Sequence, residues 1–221
     1  MIIELKRDNF FMLNWLEEYL IGHKGFVCGG CFKNIFNGEK VKDLDVFFRT
    51  ENDWNEAVQY FDERSVGYCF DFGEALTEKD AEYRFYYENS KVKAYKHLKT
   101  GMTVELCRLI FGEPEKIISE FDFTITKFAY YKEEVEDEET HETHIESKIV
   151  CDDKFFEHLH LKRLVIDDKV PYPMSTFERV LRYAKYGYFP CSETKIKLAK
   201  AIKALPDETI TVSNSLYDGV D

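Results

Sequence analysis

Two glycines and two aspartates lie near each other in the segment VCGGCFKNIFNGEKVKDLDVFFR. Gly29 and Gly30 end a short apolar run, and twelve residues separate Gly30 from Asp43-Leu44-Asp45, which opens another apolar run. Alternate residues of a strand face the same way, so both carboxylates would share one face, where their repulsion favours a divalent cation. A Gly-Gly turn before a helix lets backbone N–H groups approach a phosphate. The combination predicts a site for a nucleoside triphosphate with Mg²⁺.

The same segment resembles the nucleotidyltransferase superfamily that includes DNA polymerase beta. More narrowly, it resembles the head domain of class II tRNA nucleotidyltransferases and bacterial poly(A) polymerases, whose motif runs Gly-Gly-x-x-Arg-Asp, a glycine, then Lys-Asp-hydrophobic-Asp. The corresponding residues here are Gly29-Gly30-Cys31-Phe32-Lys33-Asn34, Gly38 and Lys42-Asp43-Leu44-Asp45. Lys33 replaces the family's arginine and keeps its charge without the bidentate fork. Asn34 replaces the family's acid.

Later segments carry further matches to this family. Asp122-Phe123-Thr124-Ile125-Thr126 resembles the family's Arg-Arg-Asp-Phe-Thr-Ile-Asn strand, without the two arginines, and Glu105 resembles an acid on the preceding strand. The segment from Glu178 to Phe189 resembles an Arg-x-x-Arg helix that ends in Gly-Phe. The Glu-Asp-x-x-Arg helix that selects CTP and ATP has no counterpart, so CCA addition is not carried over. Compact nucleotidyltransferases of phages, large viruses and toxin systems are equally good analogies.

The resemblance implies nucleotidyl transfer with two Mg²⁺ ions as cofactors and an NTP as substrate. The implied metal ligands are Asp43, Asp45 and a third carboxylate, either Asp122 or Glu105. Asp122 is favoured because its match is longer and its shorter side chain loses less rotamer freedom. The remaining residues for which the resemblance implies nucleotide contacts are Gly29, Gly30, Lys33, Lys42, Thr124, Arg179 and Arg182.

An α+β fold must position these residues. We expect a nucleotidyltransferase fold, with a mixed sheet flanked by helices, in a catalytic domain over residues 1–150, followed by a small helical tail over residues 151–221. Strand patterns occur at residues 26–28, 44–48, 66–72, 81–89, 91–99, 102–111 and 121–131. Helical patterns occur at residues 9–21, 31–38, 50–61, 114–120, 154–164, 175–186 and 192–205.

Composition excludes several classes of protein. Of the 221 residues, 44% are hydrophobic and 33% are charged, which is typical of a globular chain and excludes wholesale disorder. No apolar run reaches the roughly 18 residues of a membrane helix, and the N-terminus lacks the pattern of a cleaved signal. We therefore expect a cytoplasmic protein without a membrane partner, in the host cytoplasm if a phage encodes it.

The net charge of −12 is unevenly distributed. Residues 133–146 hold eight acids without a Lys or Arg, which predicts a solvated loop or hairpin tip. Residues 176–203 carry a local charge of +5, so the basic C-terminal helices are candidates for contact with an RNA or tRNA acceptor. The spacing of Arg179, Arg182 and Lys185 also fits the wet face of an amphipathic helix.

Several alternatives remain open at this point. Cys28 and Cys31 form a CxxC pattern, but the other cysteines are single, which favours reduced thiols over zinc or redox chemistry. His141 and His144 with Cys151 are favoured as incidental rather than metal-binding. Sheet packing is favoured over base stacking for the tyrosines Tyr83, Tyr86, Tyr87 and Tyr95. The alternatives to an RNA-directed enzyme are a catalytically degenerate nucleotide- or RNA-binding module and a toxin-type nucleotidyltransferase that modifies tRNA or protein.

Overall fold

The computed structural model describes residues 1–69, 73–136 and 141–206. Internal contacts divide the chain into two compact units. The sheet unit comprises residues 2–120 and 128–151, and the C-terminal unit comprises Met1, residues 121–127 and the chain from Asp152 onward.

The sheet unit is built on an eight-stranded mixed sheet with the strand order β1-β8-β7-β2-β3-β6-β5-β4. In chain order the strands are β1 Ile2–Leu5, β2 Phe26–Cys28, β3 Asp43–Phe47, β4 Tyr83–Glu88, β5 Val92–His97, β6 Thr103–Cys107, β7 Phe128–Glu136 and β8 Thr143–Asp152. The helices of this unit are a 3₁₀ helix Arg7–Leu20, α1 Cys31–Phe36, α2 Glu51–Asp62 and α3 Pro114–Ser119. The predicted α+β class with a mixed sheet and flanking helices is confirmed.

The C-terminal unit is mostly helical, as the sequence predicted for this part of the chain. Its elements are a 3₁₀ turn Thr124–Thr126, α4 Phe155–His160, α5 Pro173–Ala184, α6 Ser192–Lys203 and the parallel strand pair β9 Arg163–Leu164 and β10 Phe189–Pro190. Within the described ranges, no helix is both long and apolar enough to span a bilayer.

Strand alternation on β3 and β6 separates the core from the polar face of the sheet. The apolar residues Leu44, Val46, Val104 and Leu106 are fully buried. The residues between them carry the polar side chains of these two strands. Because β3 and β6 pair in parallel and in register, burial of the apolar residues on one face of the sheet places the polar residues of both strands together on the opposite face.

Helix α2 covers part of the buried face. It begins at Thr50, where a capping box with Asp53 satisfies backbone N–H groups of the first turn. The Trp54 indole donates a hydrogen bond to the Leu106 carbonyl at 3.1 Å, and the Phe61 ring stacks on Tyr95 with centroids 5.1 Å apart. These contacts hold β5 and β6 in place beneath the helix.

Two strand predictions are wrong. Residues 66–69 form a turn rather than a strand, since Gly67 adopts a positive φ of 87° that reverses the chain; residues 70–72 lie outside the described ranges. The strand expected over residues 121–131 begins only at Phe128. Before it, Thr126 donates from both its N–H and its hydroxyl to the Phe123 carbonyl, and these local bonds replace a strand ladder. Asp122 therefore does not lie on a regular strand.

Two helix predictions also need correction. The first helix is 3₁₀ in type and is interrupted at Phe10, which leaves helical geometry. The helix expected over residues 154–164 ends at His160, because Lys162 takes a φ of 51° and the chain enters β9. Within the acidic segment, residues 133–136 pair with residues 143–146 in the β7–β8 hairpin, which agrees with the hairpin that the sequence predicted as an alternative to a loop; residues 137–140 lie outside the described ranges.

Candidate active site

Three carboxylates lie together on the polar face of the sheet unit. In the β3–β6 register Asp43 stands opposite Thr103, and Asp45 stands opposite Glu105. Register partners point to the same face of a sheet, so Glu105 is the immediate neighbour of the aspartate pair. Asp43 is exposed, whereas Asp45 and Glu105 are partly buried.

The crowding of these acids changes the ionisation of Asp45. Burial, the negative charges of Glu105 and Asp43 and a hydrogen bond with Glu105 raise the pKa of Asp45 to about 8. The Tyr87 hydroxyl donates a hydrogen bond to Glu105 Oε1 at 2.6 Å, which holds that carboxylate in one orientation. Asp45 is therefore mostly protonated at neutral pH.

This donor set fits a divalent cation that a substrate helps to hold. Within residues 1–69, 73–136 and 141–206, no group of three or more His, Cys, Asp or Glu side chains is placed to hold a metal ion without other ligands. Mg²⁺ typically takes one or two carboxylates and completes its octahedron with substrate phosphates and waters. Asp43 and Asp45 are the pair able to supply those carboxylates.

The predicted phosphate turn is formed by glycines with different roles. Gly29 adopts a positive φ of 96°, a conformation that favours glycine, and its N–H donates to the Phe128 carbonyl at 3.1 Å. That N–H is therefore used by β7, and Gly30 at the start of α1 is the glycine whose backbone can face a ligand. Lys42 is exposed directly before Asp43.

Lys33 is more constrained than the sequence suggests. Its side chain is buried, and its ammonium group pairs with Glu39 at 2.8 Å. The family resemblance implied that Lys33 contacts the triphosphate. In this structure the charge of Lys33 is balanced within the protein.

Three buried cysteines adjoin the carboxylates. Cys28 stands opposite Asp45 in the β2–β3 register, and burial raises the pKa of the Cys28, Cys31 and Cys107 thiols. Protonated thiols are poor nucleophiles and poor metal ligands. No disulfide joins any of the six cysteines, as the sequence led us to expect.

The other predicted site residues belong to the C-terminal unit. Asp122 is 10% exposed, and its Oδ2 atom lies 3.0 Å from Nε of Arg179. The Thr124 hydroxyl is buried against Nδ1 of His158 at 2.7 Å, and Arg182 is exposed on α5. The roles of these residues as metal or nucleotide ligands stay predictions.

The hydrogen bond from Tyr87 to Glu105 was not predicted from the sequence, which favoured sheet packing for this tyrosine. Tyr87 pairs with Ala94 on β5, and Ala94 in turn pairs with Glu105 on β6. The small side chain of Ala94 leaves room for the phenol to reach across one strand to Glu105. Only the register of three strands, which single-sequence patterns do not reveal, could have identified this contact.

The fold is that of nucleotidyltransferases. It is similar to a CCA-adding enzyme solved with CTP, with a TM-score of 0.54 and 14% identity over 91% of this chain and 46% of that chain. It is also similar to a tRNA nucleotidyltransferase complexed with a primer tRNA and an incoming ATP analog, with a TM-score of 0.50 and 16% identity over 87% of this chain and 50% of that chain.

The family model of the Gabija anti-defense 2 family matches residues 6–162, and the chain belongs to this family. It is 20% identical over 205 residues to Gabija anti-defense 2 of Bacillus phage SPbetaL7, which covers 92% of this chain and 42% of that protein. The chain thus spans half or less of the length of these relatives.

Proposed function

We propose that the protein is a Mg²⁺-dependent nucleotidyltransferase that counteracts a Gabija defence by transferring a nucleotidyl group to an acceptor hydroxyl. The observation that carries this proposal is that the β3–β6 register brings Glu105 beside the pair Asp43 and Asp45, and the crowding of these acids raises the pKa of Asp45. Crowding like charges opposes folding unless a cation compensates them. Such perturbed carboxylates are typical of functional sites.

The reaction needs few groups from the protein. The acceptor oxygen bonds to the α-phosphorus of the NTP, the bond from that phosphorus to the pyrophosphate oxygen breaks, and the hydroxyl proton passes to a base or to water. Asp43 and Asp45 would hold the cation, which would supply positive charge to neutralise the triphosphate. Glu105 is the third carboxylate that the register favours, and Tyr87 fixes its orientation. Asp122, paired with Arg179, remains the alternative third carboxylate from the sequence.

Nucleotide contacts follow from exposure and charge. Lys42 is free of any ion pair within the described residues and adjoins Asp43, so it is suited to the triphosphate. Gly30 offers backbone at the start of α1. Lys33 would have to exchange Glu39 for a phosphate oxygen. Thr124, Arg179 and Arg182, which lie in the C-terminal unit, stay nucleotide-contact predictions from the sequence.

The proposed acceptor is an RNA 3′ end in the host cytoplasm. Support comes from four exposed cations: Arg182 on α5, Lys185 directly after it, and Lys195 and Lys200 on α6. The solved neighbours named as binding CTP, a primer tRNA and an ATP analog agree with a nucleotide substrate and an RNA acceptor. A protein acceptor, as in toxin-type enzymes, is the alternative that the experiment must separate.

The direct test incubates the protein with each α-labelled NTP, with Mg²⁺ or EDTA, and with tRNA, total RNA or protein as acceptor. We expect Mg²⁺-dependent labelling of RNA by the wild type and none by Asp43→Asn or Asp45→Asn. Glu56→Gln, which changes an exposed acid on α2, is the matched control and should retain full activity. Near-wild-type turnover by either aspartate variant at saturating Mg²⁺ would refute catalysis through this pair.

A second test addresses the biological role. In cells that carry a Gabija defence, expression of the wild-type chain should restore phage plaques, whereas expression of Asp45→Asn at an equal level should not. Full restoration by Asp45→Asn would show that the protein acts by binding without turnover, which is the degenerate-module alternative.

A further inference from the structure

A row of register partners runs from the carboxylates to the edge of the sheet. Asp45 pairs with Glu105, Glu105 with Ala94, and Ala94 with Tyr87 on β4, the terminal strand. Residues of one row point to the same face, and strands lie about 4.8 Å apart, so Tyr87 is displaced from Asp45 by about 14 Å along this face. The face of the carboxylates thus continues to an open edge.

A bulge in β4 adds one residue to this face. Phe85 pairs with Tyr95, but Tyr87 pairs with the adjacent Ala94, so β4 has one residue more than β5 over this interval. The extra residue is Tyr86, whose ring lies edge-on to Tyr87 with centroids 5.3 Å apart. Tyr86 is 56% exposed, against the expectation that this tyrosine packs within the sheet.

A cation completes the exposed surface. Nζ of Lys96 lies 5.5 Å from the centroid of the Tyr86 ring, and Lys96 is exposed on β5. Lys96 pairs with Thr103, which pairs with Asp43, so a second row of register partners joins this cation to the aspartate pair. An exposed ring and a lysine therefore adjoin the Tyr87 ring, whose hydroxyl contacts Glu105.

We propose that Tyr86 and Lys96 form a stacking platform for the unpaired terminal bases of a nucleic-acid acceptor, with RNA as the occupant. Single-stranded nucleic acid is held by exposed aromatic rings that stack on bases and by cations that meet the phosphates. The protein carries a net charge of −12, so a cation on this particular face provides local complementarity that the overall charge does not. The inference rests on the proposed function, since it names the acceptor that the carboxylate site would use.

The test measures binding of a labelled unpaired oligoribonucleotide to the full chain by fluorescence anisotropy, in EDTA and without NTP. One stacked base is worth about a 5- to 150-fold change in Kd, so Tyr86→Ala should weaken binding by that factor, whereas Tyr86→Phe keeps the ring and should bind like the wild type. Phe85→Ala is the matched control, because Phe85 is an exposed ring on the same strand that contacts Tyr95 rather than Tyr87. Its Kd should be unchanged.

A second variant tests the cation and does not depend on the aromatic ring. Lys96→Gln should reduce the slope of log K against log salt by about 0.7, the value for one phosphate contact on a single strand. Under turnover conditions, Tyr86→Ala should raise the KM for RNA and leave the KM for NTP unchanged.

Any of the following results would overturn the platform: wild-type binding by Tyr86→Ala, an equal loss in Phe85→Ala, or a rise in KM confined to the NTP. Failure of the wild type to bind the oligoribonucleotide would overturn it as well. Because binding is measured without metal or NTP, RNA binding that depends on Tyr86 but brings no transfer would refute only the proposed catalytic function.

Discussion

Replacing Asp45 by asparagine should abolish transfer and yet stabilise the metal-free protein. Asp45 has a pKa of about 8 in the folded chain against an ordinary value of 3.8. Between these values the folded state holds a proton that the unfolded state has lost, so stability is complete below about pH 4 and falls as the pH rises through 8. Four pKa units would correspond to about 5 kcal/mol, and partial exposure of Asp45 reduces our expectation to about 2 kcal/mol.

Urea unfolding in EDTA, followed by tryptophan fluorescence, measures this effect. The free energy of unfolding of Asp45→Asn should match that of the wild type near pH 4 and exceed it by about 2 kcal/mol at pH 8.5. Added Mg²⁺ should stabilise the wild type more than the variant, since the cation replaces the proton between the carboxylates. Asp43→Asn is the control, and its gain should be smaller because Asp43 is exposed.

A pH-independent difference between Asp45→Asn and the wild type would refute the reasoning. A variant less stable than the wild type at pH 8.5 would show that the ionised carboxylate of Asp45 makes favourable bonds within the fold. In that case the acid cluster would be a structural feature and would lend no support to a cation site.

Further predictions concern single side chains. Glu105→Gln should lower kcat for transfer by at least about 100-fold, and a near-wild-type Glu105→Gln beside an inactive Asp122→Ala would give the third carboxylate to Asp122. Tyr87→Phe should lower kcat about 10-fold without changing the Kd for RNA in EDTA, because the phenol orients a catalytic carboxylate; an unchanged kcat would exclude that role. Nδ1 of His23 accepts from the Gly25 N–H, and burial lowers the pKa of His23 to about 4. The stability from His23 is therefore complete above about pH 6.5 and is lost toward pH 4. In urea unfolding, the free energy of unfolding of the wild type minus that of His23→Gln should fall by about 2 kcal/mol between pH 7 and 4.5, because the contribution of Asp45 is common to both proteins and cancels in the difference.

Local patterns in the sequence were sufficient for the elements that carry the aspartate pair. The alternation around Leu44 placed Asp43 and Asp45 on one strand, and Gly29 takes the positive φ that its turn requires. Helix α2 begins at its N-cap Thr50, as the side chains of that segment predicted. These features depend on neighbours a few residues apart, so they can be recognised from one sequence.

The tertiary structure decided which residues accompany the pair. Glu105 adjoins Asp45 only because β3 and β6, sixty residues apart in the chain, pair in parallel. Tyr86 is exposed because a bulge shifts the register of β4. A strand was expected around Asp122, but there the hydroxyl of Thr126 makes a local hydrogen bond in place of the bonds of a strand ladder. The fold also pairs the ammonium group of Lys33 with the carboxylate of Glu39. The alternation of apolar and polar residues along a strand indicates only which face a side chain occupies. Its partner on the neighbouring strand is determined by long-range pairing and by burial of the whole core.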